Sequence, residues 1–114
     1  MPELPEVETI ARDLEPRLVG RRVTGVTVTH ADVIAGDPNA FIAAVAGPHI
    51  VGVGRRGKNV VIRREDDVRL VVNLGMTGRL VTSDAPRAGE LGHVAVAFHL
   101  DDGRDLLYDD ARRF

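Results

Sequence analysis

Between Arg22 and Tyr108 the chain breaks into seven short runs of β-branched or alternating residues, each closed by a turn signal. That rhythm constrains the fold more than any other feature, because a run of period two must bury one of its faces. The clearest run is His93–Leu100, where Val94, Val96, Phe98 and Leu100 share a face. Asp101-Asp102-Gly103 then signals a hairpin into Arg104–Tyr108. The remaining runs are Arg22–Thr29, Ile50–Arg56, Asn59–Arg64, Val68–Leu74 and Arg79–Thr82. Within Val68–Leu74, the triplet Leu70-Val71-Val72 predicts a strand buried on both faces. Two helices interrupt the pattern. Val7, Ile10, Leu14 and Leu18 make one apolar stripe over Pro5–Leu18, with Pro16 in the last turn and Gly20 as the stop. Asp37-Pro38 is an N-cap followed by proline, opening a short helix through Phe41, Ile42 and Val45 that Gly47-Pro48 ends. The sum is a mainly β (α+β) chain whose strands form an antiparallel sandwich or flattened barrel, with helices on its outside or edge.

At 114 residues, 44% of them hydrophobic and 28% charged, the chain suits one soluble domain with a modest core. No apolar run approaches the roughly 20 residues needed to cross a membrane, and the acidic start has no signal-peptide pattern. Cysteine is absent, which removes disulfides and thiolate metal sites. These features favour the cytoplasm. The net charge of −2 argues against a generic nucleic-acid binder, but its distribution does not. Residues 1–20 carry 2 basic and 5 acidic groups, residues 21–64 carry 7 and 2, and residues 65–114 carry 6 and 10. The middle third is therefore the part that would face an anion, since a local field rather than the total steers a partner.

Chemistry concentrates at four places. The chain begins Met1-Pro2-Glu3-Leu4-Pro5-Glu6-Val7-Glu8. Without Met1, Pro2 becomes a secondary amine that can attack a carbonyl-like carbon and form an iminium, and an α-amino group with a pKa of about 7.7–8.0 is partly neutral near pH 7. A neighbouring glutamate could move the proton involved. The plainer reading is that the glutamates complement the positive end of a helix begun by Pro5. Lys58 follows Gly57 in a turn flanked by Arg55 and Arg56, which suits either phosphate contact or a solvated hairpin tip. Met76 lies between Gly75 and Gly78, as a flexible wedge between bases or as a loop residue folded onto the core. Arg112-Arg113-Phe114 pairs two cations with an aromatic, which can hold DNA open or form a tail. The histidines His30, His49, His93 and His99 lack metal-ligand spacing.

Taken together, Pro2-Glu3-Leu4-Pro5-Glu6-Val7-Glu8-Thr9, Lys58 in a basic hairpin, Asn73-Leu74-Gly75-Met76-Thr77-Gly78, His93-Val94 and Asp110-Ala111-Arg112-Arg113-Phe114 resemble the N-terminal domain of bacterial formamidopyrimidine-DNA glycosylases. The likeness covers the whole of residues 1–114, taken as a catalytic N-terminal domain. The family's helix–two-turn–helix and zinc-finger domains are expected to be absent, so this chain itself would hold no cofactor.

The resemblance implies a two-sheet antiparallel β-sandwich with an N-terminal α-helix. It implies base-excision repair of damaged double-stranded DNA: removal of oxidised purines such as 8-oxoguanine and formamidopyrimidines, then cleavage at the abasic site. Pro2 would attack C1′ and form the Schiff base, Glu3 would shuttle protons at the sugar, and Glu6 would support the sugar or a water. Lys58 would bind a phosphate near the lesion. Met76, Arg112 and Phe114 would fill the gap left by the flipped base, Arg113 would meet a backbone phosphate, and His93 belongs to the DNA-facing set. The family's usual proline is Ala111 here, and Asn73 stands where many relatives have histidine. Two other readings are an endonuclease VIII-type enzyme acting on oxidised pyrimidines and a non-catalytic β-sandwich that binds DNA or protein. The remaining expectations are weak or no activity of the fragment alone, no membrane partner, self-association through apolar surface, and a bacterial cytoplasm with the nucleoid as workplace.

Overall fold

The computed structural model of the chain describes residues 4–75, 78–85 and 88–110. A helix, α1 (Leu4–Leu18), leads into β1 (Val23–Val28). A 3-10 turn at Ala31–Val33 and helix α2 (Pro38–Val45) follow. Six further strands follow, β2 (Ile50–Arg56), β3 (Asn59–Arg64), β4 (Arg69–Asn73), β5 (Arg79–Thr82), β6 (Val94–Leu100) and β7 (Asp105–Asp109), with a second 3-10 turn at Ala88–Glu90 between β5 and β6. They form two antiparallel sheets, in orders β1-β6-β7-β5 and β2-β3-β4. The architecture is the two-sheet, mainly β arrangement with an N-terminal helix that the strand rhythm and the resemblance imply.

The core lies between the sheets. Val60, Ile62 and Val72 face it from one, and Val96, Phe98, Leu100 and Leu106 from the other. Helix α1 closes one side, where it packs on β2, β3 and β5. It buries Val7, Ala11, Leu14 and Leu18. Ala11 rather than Ile10 takes the centre of the stripe; Ile10 is partly buried beside it. Small Ala11 lets the helix approach the strands closely. Pro16 sits inside the helix without ending it, because its missing N–H costs one bond near a terminus already short of partners. Gly20, at φ +86°, turns the chain, and its N–H donates to Ile50 O at 2.9 Å.

β4 departs from its expected burial. Val71 is 56% exposed and Val68, which precedes the strand, is 44% exposed. β4 is an edge strand, and only its inward positions, Leu70 and Val72, meet the core. The apolar run is continuous in sequence, but no element among the described residues covers its outer face.

Helix α2 begins as expected, with the Asp37 carboxylate accepting from the N–H groups of Asn39 and Ala40. Its other end is held from a distance. Arg64, at the end of β3, donates to the carbonyls of Ala44 and Val45 and, at 2.7 Å, to Asp66. One cation thus satisfies last-turn carbonyls of a helix and favours the negative end of its dipole. The Arg64 side chain is only 11% exposed, and removing it takes the donor from two last-turn carbonyls, one of them part-buried. Arg64→Met should lower unfolding stability by about 1–2 kcal/mol in denaturant titrations. The hydrogen bond from Arg64 also holds the Asp66 carboxyl below its ordinary range. Stability from this carboxylate is present above the unfolded pKa of about 3.9 and is lost as pH falls through the lowered folded value. Asp66→Asn should therefore flatten the acid limb of the stability curve.

Candidate functional site

The direction of α1 decides where its N-terminus lies. Its last turn is tied to Ile50 through Gly20, Glu15 Oε2 accepts from Val53 N at 3.3 Å, and Glu8 Oε2 accepts from Arg55 Nε at 3.3 Å. The helix therefore runs antiparallel to β2, and its first turn points toward the β2–β3 turn. That turn is the pair Gly57-Lys58 between the paired residues Arg56 and Asn59. Positive φ occurs at Gly57 (+60°) and not at Lys58, as a type II′ turn requires. Gly57 is thus explained by the turn, and Lys58 stands exposed at its tip.

Three further segments meet the same rim. Asn59 pairs with Asn73, which brings the end of β4 beside the turn. Asn73 Oδ1 accepts from Gly75 N at 2.8 Å, and Gly78 N donates to Leu74 O at 2.7 Å, so the chain leaves and rejoins β4 and β5 through a closed loop. A Cβ on Gly78 would lie 2.3 Å from Leu74 O, which makes glycine obligatory there. The Tyr108 hydroxyl bridges the two sheets, 3.3 Å from both Asn73 O and Asp110 Oδ2. At the end of β7, Asp109 pairs with Arg79 and with Val94. His93 is fastened on both sides of its backbone: its N–H donates to Asp109 Oδ1 at 2.7 Å, and its carbonyl accepts from Asp110 N at 3.1 Å. The residue itself is exposed.

Of the expected site residues, Glu6, Lys58 and His93 lie at this rim and are exposed, Glu6 in the first turn of α1. Pro2, Glu3, Met76, Arg112, Arg113 and Phe114 lie outside the described residues, although the segments leading to them converge on this rim. The structure divides the two arginines of the basic hairpin. Arg55 is engaged within the protein: besides Glu8 it donates to Gly57 O at 3.1 Å, joining α1 to the turn. Arg56 makes no ion pair among the described residues. Sequence reasoning missed Tyr108 and the burial of Asp109 and Asp110, which are 5% and 4% exposed. The only signal was the place of Asp110 in the last motif. No group of three metal-ligating side chains occurs among the described residues.

Burial pushes the Tyr108 hydroxyl up to about 12, and the Asp110 carboxylate adds to the shift. Tyr108 is the sole tyrosine and there is no tryptophan, so ultraviolet absorbance reads this group alone. Its ionisation should appear near pH 12 instead of about 10. Stability linked to the neutral phenol is full below about pH 10 and is lost as pH rises through the folded value. Tyr108→Phe should remove that alkaline dependence.

The family model for the formamidopyrimidine-DNA glycosylase N-terminal domain matches residues 1–114. The formamidopyrimidine-DNA glycosylase of Chloroflexus aurantiacus is 40% identical over 115 residues, covering all of this chain and 41% of the relative. That of Moorella thermoacetica is 46% identical over 117 residues, covering all of this chain and 42% of the relative. Among solved structures, the Lactococcus lactis enzyme non-covalently bound to DNA containing an abasic (AP) site aligns with a TM-score of 0.85 at 33% identity, covering 98% of this chain and 42% of that one. Its complex with DNA containing FAPY-dG aligns equally well. The chain thus spans about two-fifths of the length of the relatives it matches.

Proposed function

This chain belongs to the formamidopyrimidine-DNA glycosylase family, and on that premise we propose that residues 1–114 are the catalytic N-terminal domain of a base-excision repair enzyme that removes oxidised purines and cleaves the abasic site. The observation that carries the reading is convergence. The first turn of α1, the Lys58 turn, the loop closed by Gly78, and the His93–Asp110 junction all meet at one rim. They do so on a fold that aligns with a relative bound to abasic DNA.

In this reading the Pro2 amine, free once Met1 is removed, attacks C1′ of the damaged nucleotide. The bond from C1′ to the base breaks as the bond to nitrogen forms, and the departing base keeps the electron pair and takes a proton. The nitrogen then loses its proton, and its lone pair forms the C1′=N iminium as the C1′–O4′ bond breaks and O4′ takes a proton, opening the sugar ring. Glu3 moves protons at the sugar and Glu6 supports the sugar or a water. Lys58 and Arg113 hold phosphate, His93 faces the DNA, and Met76, Arg112 and Phe114 occupy the space of the flipped base. This chemistry asks no metal or organic cofactor of these residues. The partner is damaged duplex DNA, and the workplace is the bacterial cytoplasm at the nucleoid, in keeping with bacterial relatives.

The test is borohydride trapping on an abasic-site duplex at low salt. A covalent adduct is expected from the chain lacking Met1, and none from Pro2→Gly or from the chain retaining Met1. No adduct from a folded chain with free Pro2 would favour a non-catalytic module. A base panel distinguishes purine from pyrimidine lesions. Lys58→Ala should make the salt slope of duplex binding shallower by about 0.9, the contribution of one phosphate contact.

A further inference from the structure

The outer face of the β2-β3-β4 sheet, away from the core and beyond the rim, is built in three rows. Register places Arg56, Asn59 and Asn73 abreast, then Gly54, Val61 and Val71, then Gly52, Arg63 and Arg69. Residues 50–64 and 69–73 contain no carboxylate. Most other described arginines are paired: Arg12, Arg17, Arg21, Arg22, Arg55, Arg64 and Arg104 each reach an Asp or Glu, and Arg79, on the other sheet, does not. Arg56, Arg63 and Arg69 reach none among the described residues, and all three are exposed.

Arg63 and Arg69 are direct cross-strand partners. Like charges placed opposite each other in a sheet destabilise it, so folding alone gives no reason for the pair. Arg63 is also accommodated. A Cβ on Gly52 would lie 2.1 Å from Arg63 Nη2, so the end of the guanidinium occupies space over the neighbouring strand that glycine leaves open. Four residues of β3 separate the outer two rows, about 13 Å along the strand. The first row adjoins the Lys58 turn.

We propose that this face is a phosphate track, on which Arg56, Arg63 and Arg69 hold the backbone of duplex DNA flanking the nucleotide bound at the rim. The exposed Val71 between the rows packs against sugar, not a protein core. The track carries no sequence information; it lengthens the electrostatic footprint. This proposal rests on the reading of the chain as a DNA-acting domain.

The experiment compares the chain lacking Met1 with its Arg63→Gln/Arg69→Gln variant, on a long duplex carrying a central abasic site, across a salt series. Loss of two phosphate contacts should make the plot of log affinity against log salt shallower by about 1.8, at roughly 0.9 per contact. Arg63→Lys/Arg69→Lys should restore the slope. Trapping at saturating duplex should be unchanged in both variants, and the thermal midpoint of the Gln variant should not fall. An unchanged slope in the Gln variant would overturn the proposal. So would a variant that keeps its duplex slope but loses binding to poly-glutamate, since the face would then serve an acidic protein. Failure of the unmodified chain to bind or trap the duplex sinks the underlying reading instead.

Discussion

The packing of α1 across the open side of the sandwich is the constraint on which the rest depends. Two stacked sheets leave their edges exposed, and a helix laid along the β2 and β5 edges covers both. Val7, Leu14 and Leu18 are buried there, each contributing about 1.5–3 kcal/mol relative to exposure, with Ala11 allowing close approach. Because the helix is antiparallel to β2, the same contact carries the first turn of α1 to the β2–β3 turn. Stability and the direction of the helix toward the rim thus come from one interface.

A second layer is polar and fixes the ends of elements. Arg64 holds the last turn of α2, Glu15 accepts from the backbone of the β2 edge, Arg55 joins α1 to the hairpin, and Tyr108 spans the sheets. The pairs on the surface add little energy individually. Their effect is positional, because each joins a segment of the rim to a neighbour. The division of charge follows. Carboxylates engage arginines along the helix and at the strand ends, while Arg56, Arg63 and Arg69 on the outer face of the smaller sheet meet no carboxylate among the described residues.

Much of the fold was legible in the sequence. The alternation in His93–Leu100 and the Asp101-Asp102-Gly103 turn correspond to β6 and its hairpin into β7. Asp37-Pro38 opens α2. The motifs pointed to the family, and the family model matches the chain. Burial in β4 was not legible: a run of apolar residues reports hydrophobicity, and whether a face is covered depends on strand order. The roles of Arg55 and Arg56 were not legible either, since adjacent strand residues point to opposite faces and only packing says which face meets α1.

The sequence by itself determined what is local. Period-two alternation, glycine at φ-demanding turns and capping side chains act within a few residues, and they sufficed to specify the elements and their order. The tertiary structure decided what is set between distant segments: the antiparallel seating of α1 on β2, the bridge from Tyr108 to Asn73, the burial of Asp109 and Asp110, and the pairing of Arg63 with Arg69. These depend on sheet register and strand order, which arise only when the core closes. Residues far apart in the chain then become neighbours through packing that no local pattern encodes.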